Sequence, residues 1–321
     1  MIPEPGRVSS EGATKSPHPR TALIVGGGGL KGAYSVGVLR KLYDYCGADC
    51  FDTIYAVSVG VFASTFFAAG QVGTMESTWR NLVHGSQLVK FSRILTPGPI
   101  LDLDYLIDLF RSEKSFLDLG RLYEAKPRIV YVLTNCETGR PEYFDAKNES
   151  VFDLMRASTA IPCLYSRRVE IAGTRYFDGG IGDPTPIERA AADGHGRFVV
   201  VLNRPRASAQ ATPPRQSWLV GHLCLRSKAA RLSYYDITNK QRRAEEMMDR
   251  LAGQGEAAVR VFRPKTLAVG RLTRRRSLIV AAIEQGMEDA ERVLASEGLF
   301  RQSGNAASSR HAVASPAVAE P

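Results

Sequence analysis

The stretch Ile54-Tyr55-Ala56-Val57-Ser58-Val59-Gly60-Val61-Phe62-Ala63-Ser64 decides how this chain reads. Its first residues are β-prone, its last are small and apolar, and a serine stands at the junction. Ala56 and Gly60 flank Ser58 at two residues on either side. Small flanks are needed where strand and helix backbones nearly touch. The pattern is that of a nucleophile elbow, a tight strand-to-helix turn that lifts a serine hydroxyl above the end of a sheet. Its usual form is Gly-x-Ser-x-Gly, and here Ala56 replaces the first glycine. A serine in an apolar run also serves as a helix cap or a packed hydroxyl. The surrounding sequence has to decide between these roles.

Outward from Ser58, buried strands alternate with helices. Thr21 to Val25 is short, apolar and β-prone, as in a strand covered on both faces. Gly26 to Gly29 turn the chain, and Val36, Leu39, Tyr43 and Cys46 then fall at helical spacing within 32–46. Strands are predicted at 52–57, 128–133, 175–177 and 198–202, with 141–144 returning as a hairpin. Helices are predicted at 58–69, 75–83, 103–111, 151–158 and 187–192. Beyond them come helices at 219–227 and 229–251, a strand at 258–262 and a last helix at 277–295. This alternation argues an α/β fold with a mainly parallel central sheet. Residues 1–20 and 301–321 are rich in Pro, Ser, Gly or Ala and are expected to be disordered.

A chain of 321 residues with 44% hydrophobic and 23% charged residues can bury a large core as a soluble globular protein. Its longest apolar stretch, Ile54 to Ala69, is shorter than the ~20 residues of a membrane span. Met1 to Arg20 has no apolar centre and does not read as a signal peptide. Five widely spread cysteines, Cys46, Cys50, Cys136, Cys163 and Cys224, fit reduced thiols better than a disulfide framework. A cytoplasmic location is therefore expected. Cys46 and Cys50 have no second Cys/His pair at ligand spacing, so packed thiols are favoured over a metal site.

The net charge of +9 is unevenly placed: 204–276 holds seventeen Lys and Arg against five Asp and Glu. The plain reading is solvated helix faces. The charged alternatives are an anionic lipid surface or nucleic acid. No nucleic-acid motif accompanies the cluster, so no nucleic-acid partner is expected. Peripheral contact of 204–276 with anionic membrane, at the inner membrane face, is the candidate interaction.

Three loops follow predicted strands, where open α/β sheets place their sites. In the first, Gly26-Gly27-Gly28-Gly29-Leu30-Lys31-Gly32, bare backbone at a helix start presents N–H groups to an anion. That loop is a tight turn, a cradle for a dinucleotide pyrophosphate, or a receiver for the oxyanion of a tetrahedral intermediate. It is not a Walker A loop, because Gly32 and not Ser or Thr follows Lys31. A dinucleotide site wants an acidic residue at the end of the second strand, yet Asp49 and Asp52 precede that strand. The second loop is the elbow. The third, Asp178-Gly179-Gly180, is first a turn signal, and it also sets a carboxylate at a strand end.

A serine nucleophile needs a base, usually histidine. His18 and His311 lie in the expected disordered ends, and His84 and His222 lie in or beside helices without a motif. His195 is the serious rival, since Ser58, Asp178 and His195 follow the order Ser, acid, His. However, His195 precedes the strand at 198–202, which puts it at the opposite sheet edge from Ser58. Asp178 acting directly on Ser58 is the better reading. An aspartate of pKa about 3.9 is a poor base, and desolvation in an apolar pocket would raise its basicity.

Taken together, Gly27-Gly28-Gly29-Leu30-Lys31-Gly32, Ala56-Val57-Ser58-Val59-Gly60 and Asp178-Gly179-Gly180 resemble the three motifs of the patatin-like phospholipase family. Arg156 to Pro162 and Tyr176 to Ile181 add to the likeness, which covers about Thr21 to Leu202. It continues more loosely to about Leu299, as in the extension of bacterial members. The resemblance implies a three-layer α/β/α fold and hydrolysis of fatty-acyl esters, often phospholipids, through an acyl-enzyme. It implies a Ser58–Asp178 dyad without histidine, with Gly27, Gly28 and Gly29 as oxyanion hole and Lys31, Gly32, Ala56, Val59, Gly60, Gly179 and Gly180 in support. It requires no metal and no organic cofactor. Accordingly 21–202 is expected to be the catalytic domain, and 203–300 a basic, mostly helical extension packing on it. Ala56, and Val59 in place of the more usual alanine, bear on efficiency more than on reaction type.

The expected function is a serine lipid acyl hydrolase of phospholipase A or esterase type, with a phospholipid or other fatty-acyl ester as substrate. The competing readings are a nucleotide- or phosphate-binding module built on the glycine loop, and a non-catalytic lipid-binding relative.

Overall fold

In the computed structural model, which describes residues 19–148, 150–167, 169–206, 221–253 and 259–300, every residue of strand β1 (Thr21–Val25) is buried. Leu23 and Val25 face one hydrophobic cluster, while Ala22 and Ile24 face another. Successive side chains of a strand point to opposite faces, so an uninterrupted apolar run has to be covered on both sides. That requirement produces the three layers.

Strand β2 (Thr53–Val57) lies parallel to β1 on one side. Strand β7 (Arg197–Val201) lies parallel to it on the other. Strand β3 (Arg128–Asn135) continues the parallel set beyond β2, and β8 (Val259–Phe262) continues it beyond β7. The far edge is antiparallel: β4 (Pro141–Asp145) and β6 (Thr174–Asp178) both pair with β3, and β5 (Val169–Ile171) pairs with β6. The central sheet is thus mostly parallel with helices on both sides, as expected.

The larger cluster is covered by helices α1 (Ala33–Cys46), α2 (Gly60–Ala68), α3 (Val72–Asn81), α4 (Leu103–Arg111) and α5 (Val151–Thr159). The smaller is covered by α6 (Ile187–Ala192) and by α8 (Ile237–Ala252), which follows α7 (Lys228–Tyr235). The last helix, α9 (Arg276–Glu297), packs along α1 at glycine contacts. A Cβ at Gly37 would stand 2.0 Å from the Ile283 carbonyl oxygen, and one at Gly286 would stand 2.2 Å from that of Tyr34.

Most predicted elements fall within a residue or two of those found. Three differences have local causes. Strand β5 was not foreseen, because its turn to β6 uses Ala172 and Gly173, both at positive φ, where Asn-Gly would have been the recognisable signal. The helix expected over 229–251 is two, α7 and α8, meeting at Asp236, whose carboxylate accepts from Asn239 and Arg243 at the start of the second. Two of the five cysteines are not free thiols: Cys163 and Cys224, 61 residues apart, are joined as a disulfide with Cα atoms 5.4 Å apart. The fold brings the turn after α5 against the helical turn at 221–224, and sequence spacing carries no trace of that meeting. The expected disorder of 1–20 and 301–321 falls almost wholly outside the described residues, as do His18 and His311.

Candidate active site

Ser58 is the point where β2 becomes α2, and its backbone is left-handed at φ 53°. A non-glycine residue holds that conformation only where its surroundings enforce it. Here the Ser58 N–H donates to Ser158 Oγ at 3.1 Å, and Ser158 Oγ donates in turn to the Val132 carbonyl at 2.8 Å. The helix start is pressed against β1: a Cβ on Gly60 would lie 2.6 Å from the Val25 carbonyl oxygen. Gly60 is therefore obligatory. Ala56 is not a defect, because it is an ordinary buried strand residue with no positive φ. Val59 also has its place, since a Cβ on Gly32 would meet its methyl carbon at 2.9 Å. The bulk of Val59 is accommodated because residue 32 has no side chain.

Asp178 ends β6 and caps the helical turn Gly179–Gly182. Its Oδ2 accepts from Ser58 Oγ at 2.5 Å, and its Oδ1 accepts from the Gly180 N–H at 2.8 Å. The Asp178 carbonyl accepts from Thr134 Oγ1 at 2.8 Å, and that hydroxyl accepts from the Gly182 N–H at 2.9 Å. Gly179 lets the turn lie against β3: a Cβ there would be 1.9 Å from the Val132 carbonyl oxygen. Ser58 and Asp178 are both buried, at 5% and 6% exposure. Burial pushes the Asp178 carboxyl up to about 6, opposed by the bonds from Ser58 and Gly180 and by the Arg271 charge.

The glycine loop lies against the same two residues. A Cβ on Gly27 would stand 2.8 Å from that of Ser58. The loop is pinned at both ends, where the Gly26 N–H donates to the Val201 carbonyl at 2.9 Å and the Leu30 N–H to the Arg271 carbonyl at 3.0 Å. Asn203 Nδ2 donates to the carbonyls of Gly26 and Gly27, while its Oδ1 accepts from Ser35 on α1. Gly28 and Gly29 have φ of 146° and 59°. Gly29 also passes so close to Arg271 that a Cβ would lie 2.5 Å from its carbonyl oxygen. Gly27, Gly28, Gly29, Lys31, Ser58 and Asp178 line one open cleft together with Arg271. Burial and the Arg271 charge lower the Lys31 pKa.

Behind Ser58 lies a small apolar cavity of about 30 Å³, walled by Phe62, Trp79, Leu88, Leu101, Leu106 and Phe110 among others. The rival base is far off in the fold. His195 contacts the Ala190 carbonyl and, through Nε2, Thr53 Oγ1 at 3.1 Å. Thr53 begins β2, whereas Ser58 follows its end, so His195 is at the opposite sheet edge. Among the described residues no three His, Cys, Asp or Glu side chains gather as a metal site, and no helix is long and apolar enough to cross a membrane. Ser158, Thr134, Asn203 and Arg271 were not foreseen as site residues. Ser158 lies in the quoted Arg156–Pro162 run, but nothing in that run marks its hydroxyl as a support for Ser58.

An open, mostly parallel sheet with helices on both faces, a serine on a left-handed elbow and an aspartate at the end of the strand beyond β3 define a three-layer α/β/α protein with a serine–aspartate cleft. The chain belongs to the patatin-like phospholipase family, whose model matches residues 23–191. It is 28% identical over 188 residues to the uncharacterized protein YjjU of Escherichia coli K12, covering 58% of this chain and 52% of that one. It is 26% identical over 193 residues to the uncharacterized NTE family protein Rv1063c of Mycobacterium tuberculosis, covering 58% and 49%. The chain thus spans about half the length of these relatives. In fold it is similar to VipD from Legionella pneumophila, with a TM-score of 0.50 and 14% identity over 87% of this chain and 67% of that one. The family as a whole supports lipid hydrolysis.

Proposed function

We propose that this protein is a serine lipid acyl hydrolase in which Ser58 is the nucleophile and Asp178 its base. The observation that carries the reading is the 2.5 Å hydrogen bond from Ser58 Oγ to Asp178 Oδ2, set beside a small cavity with apolar walls, the kind of lining an acyl chain would meet. Ser58 Oγ attacks the ester carbonyl as its proton passes to Asp178. The N–H groups of Gly27, Gly28 and Gly29 receive the oxyanion, where one such donor is worth about 2.7–4 kcal/mol. The tetrahedral intermediate collapses, the alcohol leaves with the proton held by Asp178, and the acyl group stays on Ser58. Asp178 then takes a proton from water, which attacks the acyl-enzyme. The fatty acid leaves and Ser58 regains its proton.

A carboxyl raised to about 6 is a better base than an ordinary aspartate, yet it is still ionised at neutral pH. The Lys31–Arg271 side of the cleft suits an ester that also carries a negative group, so phospholipids are the favoured substrates. A nucleotide in the glycine loop would meet apolar walls on the Ser58 side, which favours the acyl reading. We take 203–300 as part of the same unit, because Arg271 anchors the loop and α9 packs on α1. The test is product analysis by mass spectrometry on a mixed lipid panel. Free fatty acid is expected from the native protein and none from Ser58→Ala.

A further inference from the structure

The segment 91–98 is exposed at every residue. It leaves the fold between Val89 and Leu101, which form an antiparallel bridge, and is closed at its stem by Lys90 N–H to the Ile100 carbonyl at 2.7 Å. Within it Arg93 Nη1 donates to the Pro97 carbonyl at 2.5 Å, and Thr96 Oγ1 to the Ser92 carbonyl at 3.2 Å. It is therefore a shaped loop. Three large apolar side chains cover it: Phe91, Ile94 and Leu95, at 42%, 65% and 91% exposure. Single exposed apolar residues need no explanation, but three within five residues do.

Two further features belong to the same place. The stem residues Leu88 and Leu101 are walls of the apolar cavity behind Ser58, so the loop stands at the rim of that cavity. Its charged surroundings are mainly basic. Arg274 lies over the Phe91 ring, 5.6 Å from its centroid, and Arg93 is on the loop itself. Neither 85–101 nor 264–278, the two segments that meet here, contains an acidic residue. Lys90 is neutralised by Asp102 at 2.6 Å, but Arg93 turns to a carbonyl.

We propose that the loop 91–98, with Arg93 and Arg274, is the surface by which this protein docks on an anionic phospholipid bilayer. The apolar tips enter the headgroup boundary and the arginines lie against lipid phosphates. The tips expose on the order of a few hundred Å², well short of the ~800 Å² each partner gives a standard protein interface. The basic frame selects negative lipid over neutral surface. Docking here would set the loop's stem, whose Leu88 and Leu101 line the apolar cavity, against the membrane. This narrows the docking surface from the whole 204–276 segment, where Arg204 and Arg263 pair with Glu245, Arg206 with Asp249 and Arg243 with Asp236. The proposal does not depend on the hydrolase reading.

The test is flotation of the full chain with vesicles of phosphatidylcholine alone and of phosphatidylcholine mixed with phosphatidylglycerol. The native protein is expected to float mainly with the mixed vesicles. Ile94→Ser/Leu95→Ser should lower binding about tenfold or more on both. Arg93→Gln/Arg274→Gln should reduce binding on mixed vesicles to the level seen on phosphatidylcholine. Both variants should keep native circular dichroism, and Ser58→Ala should float like the native protein whatever becomes of hydrolysis. Flotation of the Ile94/Leu95 variant at native level would overturn the proposal, as would a native protein that floats with neither vesicle. A dimer dissolved by Leu95→Ser, without flotation, would assign the loop to a second copy instead.

Discussion

Ser58 Oγ and Asp178 Oδ2 are 2.5 Å apart across 120 residues of chain. Each is fixed by its own backbone, Ser58 by a left-handed elbow and Asp178 by the Gly180 N–H. In the proposed dyad the strand end would orient Asp178 without a third residue. It also sets a carboxylate in a buried place, with consequences for both pH and stability.

The rate should depend on ionised Asp178. With its carboxyl raised to about 6, kcat/KM on a soluble short-chain ester is expected to rise tenfold per pH unit below that value and level off above it. Arg271 lowers this pKa through its charge, so Arg271→Gln should move the acid limb to higher pH. A pH–rate profile of both proteins checks this. An acid limb near 4, or one unmoved in Arg271→Gln, would contradict it.

The same burial should cost stability. An aspartate raised on folding from 3.8 to about 6 binds more protons folded than unfolded at intermediate pH. Stability therefore falls as pH rises through that window. The penalty is absent below about 4 and complete above about 6, where it amounts to roughly 3 kcal/mol at ~1.4 kcal/mol per pKa unit. Asp178→Asn is expected to raise Tm at pH 7–8 while abolishing hydrolysis, and the gain should disappear as pH falls toward 4. Thermal melts across pH read this directly.

Gly27→Ala should separate geometry from fold. Its new Cβ would lie 2.8 Å from that of Ser58, so either the serine or the loop must shift. A misplacement of ~1 Å costs about 100-fold in kcat. A comparable loss with little change in Tm is expected, and steady-state kinetics beside a melt will show it.

Ser158→Ala removes the acceptor of the Ser58 N–H. A buried donor left unpaired costs about 1–3 kcal/mol, and the strained elbow loses one of its supports. Lower Tm and lower kcat are expected together. The native Tm and kcat in this variant would show that Ser158 is not a support.

In the apolar cavity, Leu106→Trp should shorten the accepted chain. The side chain lines the space behind Ser58, and a larger one fills it. Loss of kcat/KM on long-chain esters with acetate esters spared is the expected pattern. An equal loss on both would place the acyl chain elsewhere.

The readable parts of the site are those whose backbone demands a residue type. Gly60 faces a carbonyl at 2.6 Å and Gly179 one at 1.9 Å, and only glycine fits either place. The buried strands were equally plain, because a fully covered strand cannot alternate. What could not be read were contacts made by groups that every residue carries. The Arg271 carbonyl holds Leu30 from far along the chain, and a carbonyl leaves no mark in sequence. Ser158 and Thr134 are ordinary residues whose hydroxyls gain meaning only in three dimensions. The Cys163–Cys224 pairing likewise depends on where two loops meet.

The central claim is that Ser58 carries the acyl group with Asp178 as base. The most direct measurement is labelling by a fluorophosphonate probe, located by peptide mass spectrometry, with fatty-acid release measured on the same preparations. The account predicts label on Ser58, hydrolysis lost in Ser58→Ala and Asp178→Asn, and hydrolysis kept in His195→Ala. Full hydrolysis by Ser58→Ala would contradict it outright. Undiminished activity in Asp178→Asn with loss in His195→Ala would replace the dyad by a triad.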